Sequence, residues 1–364
     1  GFDYVTQNRV ATSIFGGSLG LSAGYIVFNG FRNTNTYKQA ELGVASSLLD
    51  LQKIENDISL FVVNGYLNIL FAKETLNAFK IQYNISKKQL KAVATRFQSG
   101  VIAKSELLNT KSTVAANLQS VVAQENALNI ALLNLAQLLQ VPSEGFDIAS
   151  IAVGLPSSDL LYENSSSVYY KSVDRMPEIT RAKLAIENAD LNIKISKSYF
   201  LPSISASAGL TTNYGYNLKS GPDIPFFNQL DDNLGYGVGL NINIPIFNRF
   251  QTKNNLEKSK IAKEISETRL ESEKVQLKQT IEQAFLDVKS ALKTYQAATI
   301  SLESQEEAFK NAQERYNYGS MTLFDFDQVR TRLVNAQSTL IRSKYDYVFK
   351  TKVLQFYAGE LILN

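Results

Sequence analysis

The stretch "LGYGVGLNINIPIFNRF", Leu234 to Phe250, decides how the rest of the chain is read. Its first half alternates: Tyr236, Val238, Leu240, Ile242 and Ile244 fall on one side of an extended backbone, and Gly235, Gly237, Gly239, Asn241 and Asn243 on the other. Period-two alternation of this kind is the pattern of a strand with one greasy face and one wet face. The stretch "SISASAGLTTNY", Ser203 to Tyr214, alternates as well, with Ile204, Ala206, Ala208, Leu210, Thr212 and Tyr214 sharing a face. A loop carrying Gly215, Gly221, Pro222 and Pro225 joins the two. Each strand has about 11 residues, enough to cross a bilayer at a tilt. Tyr199, Phe200, Tyr214, Phe226, Phe227 and Phe247 lie near the strand ends, as an interfacial aromatic girdle would.

The same pattern recurs earlier in the chain. Phe15, Gly17, Leu19, Leu21, Ala23 and Tyr25 each lie 219 residues before a member of the series Leu234, Tyr236, Val238, Leu240, Ile242 and Ile244. "VFNGFRNTN" (Val27–Asn35) resembles "IFNRFQTKN" (Ile246–Asn254), and "RFQSGVIAKSELL" (Arg96–Leu108) resembles "RYNYGSMTLFDFD" (Arg315–Asp327), at the same separation. One gapless offset over more than a hundred residues marks two copies of one unit. Adding or subtracting it leaves the strand at Ser203 without a partner except near position −16. Four strands per chain and roughly 45 further N-terminal residues are therefore expected.

Between the strands the sequence is helical. Thr34 to about Phe97 holds no proline and two glycines, and Thr252 to about Tyr318 holds neither. Ile58, Val62, Tyr66, Ile69 and Leu76 in one copy, and Leu277, Ile281, Phe285, Val288 and Tyr295 in the other, recur at helical spacing. Each helix of about 65 residues would reach roughly 100 Å. A second helix then returns: Leu107, Val114, Val121, Leu128 and Leu135 are seven apart, as are Phe326, Leu333, Leu340, Tyr347 and Leu354. A seven-residue period means supercoiled side-by-side packing, and Gly100 and Gly319 suit the turns between. The organisation expected is a first repeat over 1–175 (strand about 15–27, hairpin about 33–141, intervening segment 142–175). A second follows over 176–364 (helix about 176–200, strands about 203–214 and 234–245, hairpin about 250–360).

Composition removes several function classes. Among 364 residues, 37 basic and 34 acidic side chains give a net charge of +3, too balanced for a nucleic-acid partner. Cysteine, histidine and tryptophan are absent, which excludes disulfides, thiolate chemistry, Ser-His-Asp triads and histidine or cysteine metal sites. No cofactor is expected. Carboxylate chemistry survives that filter, but the acids are spread along helical faces, and the chain is read as no enzyme. No run of 18 apolar residues is present, so no helix is expected to span a membrane. The strands read either as a soluble sheet over a core or as a barrel wall with lipid outside and water inside. Long helices leave no compact core for a soluble sheet, which favours the wall. Four strands cannot close a barrel and open edges are not tolerated in lipid, so several copies must complete it.

The stretch "DRMPEITRAKLAIENADLNIKISKSYFLPSISASAG" (Asp174–Gly209) resembles the TolC-like outer-membrane efflux proteins. The motif elements are Arg175, Pro177 and Glu178, then Ala182, Ala185 and Ala189, then Phe200, Leu201, Pro202 and Ser203, together with the duplicated Arg-Tyr/Phe-x-x-Gly turn. A basic residue after each strand, Arg32 or Arg249, fits as well. The resemblance covers essentially the whole chain. It implies a homotrimer with a 12-stranded barrel in the outer membrane of a Gram-negative bacterium, antiparallel hairpins forming a helical tunnel through the periplasm, and residues Val141 to Val173 in an equatorial belt. It implies a passive conduit for efflux or type I secretion, gated at the helical tips and joined through a periplasmic adaptor (membrane fusion) protein to an inner-membrane pump. Outer-membrane lipid would meet Leu19, Leu21, Tyr236, Val238, Leu240, Ile242 and Ile244. The adaptor would meet Gly100, Val101, Gly319, Ser320 and Met321. The gate carboxylate falls on Asp325; the second family position falls on Gln328, with Asp327 beside it. Tyr316 and Glu106 would link the tips, and the family's tip arginine is replaced by Met321. On residue chemistry alone, Asp325 and Asp327 also read as helix-start carboxylates. A periplasmic coiled-coil adaptor or a structural protein without a pore is the alternative.

Overall fold

The structure, a computed structural model, describes residues 2–3, 8–9, 13–149, 160–218 and 224–360. Residues 150–159 of the expected belt segment, and Gly221 and Pro222 of the expected loop, lie outside these.

Three strands form one antiparallel sheet in the order β3 (Ile14–Phe28), β4 (Ser203–Asn217), β5 (Gly235–Asn243). Two short strands, β1 (Phe2–Asp3) and β2 (Asn8–Arg9), pair separately. The register of the larger sheet collects the sequence pattern onto faces. Leu21 lies opposite Leu210, which lies opposite Tyr236. Ala23, Ala208 and Val238 form the next row, then Tyr25, Ala206 and Leu240. Directly paired residues point to the same side, so the apolar sets of all three strands share one face. The other face carries Gly20, Thr211 and Gly235, then Ser22, Gly209 and Gly237, then Gly24, Ser207 and Gly239. No charged residue occurs in β3, β4 or β5. The middle rows of the apolar face are uncovered, with Tyr236 85 % and Val238 87 % exposed. Leu19, Leu21, Leu240, Ile242 and Ile244 are exposed beside them. β4 runs three residues beyond the expected Tyr214. β5 stops at Asn243, before Ile244 and Pro245, where the missing proline N–H cannot continue a ladder.

Four long helices follow one another as two consecutive pairs. α1 (Arg32–Gln98) is followed by α2 (Lys104–Leu138), and α6 (Gln251–Asn317) by α7 (Leu323–Tyr357). α1 and α6 are each 67 residues long, α2 and α7 each 35. Each element of the second pair begins 219 residues after its counterpart. Backbone specials follow the same separation. Positive φ occurs at Gly30 and Phe31 and again at Arg249 and Phe250, at Gly100 (72°) and Gly319 (74°), and at Gln140 (56°) and Gly359 (79°). The two hairpin turns are built alike. Val101 N–H bonds Arg96 O at 3.0 Å and Ser320 N–H bonds Arg315 O at 2.9 Å, each closing a helix end around a left-handed glycine. No described helix is long and apolar enough to cross a membrane.

The chain divides into two units. Gly1–Ser47 with Ala182–Arg269 holds the sheet, where the end of α4 (Pro177–Ser198) is tied to α1 by Gln39–Asn188 at 2.6 Å and to α6 by Lys263–Asp190 at 2.9 Å. Leu48–Arg181 with Leu270–Asn364 holds the hairpin tips and an apolar core. That core joins Val168 of α3 (Ser165–Ser172), Ile179, Ile281, Val288, Tyr347 and Leu354. Asn164 caps α3 by accepting from Ser167 N–H at 2.9 Å. Of the heptad series, Val121, Leu135, Phe326, Tyr347 and Leu354 are fully buried, and the others are half-buried.

Candidate functional site at the hairpin tips

Both tips belong to the second unit, and their side chains meet in an open groove of about 1330 Å³. Its walls include Glu106, Thr113, Tyr316, Met321, Asp325 and Asp327.

Tyr316 and Glu106, expected to pair, are brought together: the phenol donates to Glu106 Oε1 at 3.4 Å, a long bond. The Tyr316 ring stacks on Phe326 at 5.0 Å and 14°, and the Phe309 ring also meets Phe326, at 5.5 Å. Burial pushes the phenol pKa up, and the Glu106 charge adds to the rise. Tyr316 is therefore a neutral donor at any physiological pH.

Asp325 and Asp327 have different surroundings despite lying two residues apart. Asp325 is exposed in the first turn of α7. Its backbone N–H bonds the Thr322 hydroxyl at 3.1 Å, and that hydroxyl donates to the Asp325 carboxylate at 2.7 Å. The carboxylate sits at the positive end of the helix dipole and remains open to the groove. Asp327 turns inward. Its Oδ1 lies 2.7 Å from Arg330 Nη2, and its Oδ2 accepts from the Thr113 hydroxyl of α2 at 3.3 Å. Burial raises the Asp327 pKa, against the lowering pull of Arg330 and Thr113. Burial likewise lowers that of Arg330, against the Asp327 charge. Arg330 then reaches α1, donating from Nη1 to Gln89 Oε1 at 2.6 Å, and its side chain is 4 % exposed.

Sequence reading missed this node. An acid and a base three apart on a helix are ordinarily a solvated surface pair. The available signal was their position beside Phe326, a heptad core residue.

The turn residues Gly100, Val101, Gly319 and Ser320 are exposed at the tips, and Met321 is half-buried. Gln328, at the second expected gate position, is exposed and carries no charge. Glu106 and Asp325 occupy matching first-turn positions of α2 and α7. Each tip thus offers one carboxylate to the groove, and the second tip buries another. Nothing in the arrangement pairs a nucleophile with a base; it can attract cations and hold two hairpins together.

The family model for outer membrane efflux proteins matches residues 3–140 and 168–360. The pyoverdine export outer membrane protein OpmQ of Pseudomonas putida is 25 % identical over 350 residues, covering 93 % of this chain and 69 % of that protein. OpmQ of Pseudomonas aeruginosa is 25 % identical over 63 % of this chain, which spans only 49 % of that relative's length. The outer membrane protein TolC of Escherichia coli is 23 % identical over 94 % of this chain and 74 % of its own. Among solved structures, the CmeC outer membrane channel of Campylobacter jejuni superposes with a TM-score of 0.73 at 18 % identity. It covers 97 % of this chain and 79 % of that one.

Proposed function

The chain belongs to the outer membrane efflux protein family, whose members reside in the outer membrane of Gram-negative bacteria, and on that premise we propose that three copies form one passive exit duct. Each chain is built of two copies of one strand-and-hairpin unit. Three chains contribute four strands each to a closed barrel, while the hairpins line a periplasmic tunnel that narrows at the tips. A periplasmic adaptor docks at the tips around Gly100, Val101, Gly319, Ser320 and Met321 and links the duct to an inner-membrane pump.

One observation carries this reading: a charge-free sheet whose middle apolar rows are uncovered and whose outer strands, β3 and β5, each have one unpaired edge among the described residues. Unpaired backbone in hydrocarbon costs several kcal/mol per group. Such a sheet is stable in a membrane only when other copies close it. Gly, Ser, Thr and Asn on the opposite face then line a watery lumen.

At the hairpin tips, the exposed Asp325 carboxylates of three chains make an acidic ring, to which Glu106 adds. A ring of like charges favours cations at a constriction. Met321 replaces the family's tip arginine, so the Tyr316–Glu106 contact and the Arg330 node hold the tips. In planar bilayers the purified protein is expected to conduct. Asp325→Ala is expected to raise single-channel conductance and to weaken cation preference. Absence of any conductance refutes the duct; conductance and selectivity both unchanged in the variant remove Asp325 from the gate.

A further inference from the structure

The connection between β4 and β5 is built onto the sheet rather than hanging from it. β5 leaves β4 at the Gly235–Thr211 pair, whereas β4 continues to Asn217. Beyond Thr211, β4 therefore has β3 on one side only. Two side chains from the connection replace the missing strand. Gln229 Oε1 accepts the Gly215 N–H at 2.8 Å, and Asn233 Nδ2 donates to Asn213 O at 2.8 Å. Gln229 is itself buried and braced, its Nε2 donating to Ile224 O at 2.8 Å. Both belong to the segment around the short helix α5 (Phe226–Asp232).

α5 lies on the apolar face. The Thr212 hydroxyl, in the same row as Leu19, donates to Leu230 O at 2.7 Å. The Phe226 ring meets Tyr214 edge-on at 4.8 Å, and Phe15 stacks alongside Tyr214 and Tyr216 at 6.2 and 5.4 Å. Gly17, paired with Tyr214, leaves room for that ring; a Cβ there would lie 2.9 Å from the phenol oxygen. Phe227, 79 % exposed, projects from this cluster beside the exposed Ile224.

We propose that Ile224–Asp232 is an interfacial anchor that fixes the depth of the sheet in the outer membrane, with Phe226 and Phe227 at the boundary between lipid headgroups and acyl chains. The proposal rests on the lipid-facing reading of the sheet. Two opposed costs place the segment. Asp231 and Asp232 are exposed, and carboxylates are expelled from hydrocarbon. Phe227 and Ile224 are exposed too, and aromatic side chains concentrate at the interface. A helix carrying both at the margin of an apolar wall settles about 5–10 Å into the boundary layer.

The spacing agrees. The opposite end of the apolar face, where the helices begin, is marked by Ile204 and by the Phe28–Phe31 and Phe247–Phe250 ring pairs. Ile204 and Tyr214 are ten residues apart. At about 3.4 Å per residue and a tilt near 45°, that is roughly 24 Å of membrane normal, the height of an outer-membrane apolar band. α5 sits at the far limit of that band.

The chain has no tryptophan, so a single indole reports its own position. The full chain carrying Phe227→Trp, Val238→Trp or Phe324→Trp is reconstituted in phosphatidylcholine vesicles brominated near the headgroup or near the acyl terminus. Val238 lies near the middle of the apolar rows, and Phe324 is exposed at a hairpin tip. Phe227→Trp is expected to be quenched more by the shallow bromines, Val238→Trp more by the deep ones, and Phe324→Trp by neither. Phe227→Trp behaving like Phe324→Trp, or quenched most by the deep bromines, overturns the anchor. A blue-shifted Phe227→Trp that no lipid quenches overturns it too, and places the segment against a neighbouring copy. In these cases a quenched Val238→Trp leaves the lipid-facing sheet standing. An unquenched Val238→Trp sinks the sheet reading itself.

Discussion

Replacing Arg330 with methionine tests whether the buried node holds the two hairpins together within one chain. The change keeps much of the side-chain volume but leaves Asp327 beside Phe326 with only the Thr113 hydroxyl as partner, and frees Gln89 Oε1 on α1. Removing one partner of a buried pair costs about 3–5 kcal/mol. Asp327 keeps a quarter of its side-chain surface in water, so the low end applies, about 3 kcal/mol. Expressed as local opening, that is roughly a hundredfold, because about 1.4 kcal/mol is a factor of ten. The readout is amide hydrogen exchange of the whole protein in detergent, corrected for the intrinsic rate. Peptides over residues 318–333 are compared with peptides over 341–357, which lie in the apolar core. Protection should fall about a hundredfold at the tip and stay unchanged in the core. The pH dependence has a definite sign. Burial already raises the Asp327 pKa, and Arg330 is the main influence opposing the rise. Without Arg330 the carboxyl titrates still higher when folded than when unfolded. Its favourable contribution is then present below the unfolded value and lost as pH rises through the folded one. The Arg330→Met deficit is therefore largest at neutral pH and shrinks in acid. The double variant Asp327→Leu/Arg330→Met removes both charges and should recover most of the protection, since replacing both partners of a buried pair by apolar side chains of similar volume strands no charge. Wild-type protection in the single variant, or a double variant as open as the single, refutes the reasoning.

Two further outcomes follow from the sheet. Val238→Arg sets a charge on the apolar face near its centre and should cost about 2–4 kcal/mol, read as lost outer-membrane assembly. Gly237→Arg, one residue away on the wet face with nothing within 4 Å, should assemble. Gly17→Ala would drive a Cβ into the Tyr214 ring and lower the thermal stability of the assembled oligomer, whereas Gly24→Ala meets nothing within 4 Å and should leave it unchanged. If the two alanines behave alike, the aromatic packing over Gly17 contributes nothing.

What could be read in advance was whatever repeats. Alternation along Gly235–Asn243 located one face, and register turned that face into continuous rows such as Tyr25, Ala206 and Leu240. The seven-residue series from Leu107 and from Phe326 located the return helices, and Gly100 and Gly319 located their turns. The features that escaped depend on partners distant in sequence. Gln229 looks like a loop residue until Gly215 is seen to need an acceptor. The helix it belongs to is seven residues long, too short for any periodicity to register. Asp327 and Arg330 look like surface charges until Gln89 and Thr113, from the other hairpin, close over them. Asp325 could be placed in the first turn of α7 from sequence, but only the structure separates its exposed carboxylate from the inward one two residues on.

That separation marks a difference between the two hairpins. At matching positions the two copies have matching backbone, down to the left-handed turns. Their side chains diverge in the return helices: Leu108 against Asp327, Asn109 against Gln328, Lys111 against Arg330. In the first copy Leu108 and Lys111 are exposed; in the second Arg330 is buried and Asp327 faces inward. A hairpin held by apolar contacts alone can slide at modest cost, because dispersion is undirected. The contact between the two hairpins, made through Arg330 to Gln89 and through Asp327 to Thr113, has a defined seat, and leaving it strands two charges. The Arg330 node therefore gives the contact between the two hairpins one defined geometry, set from the α7 side. The same helix carries the exposed Asp325 in its first turn, so a shift of α7 moves that carboxylate as well. The buried inter-hairpin contact and the exposed Asp325 carboxylate are thereby carried by one helix, α7.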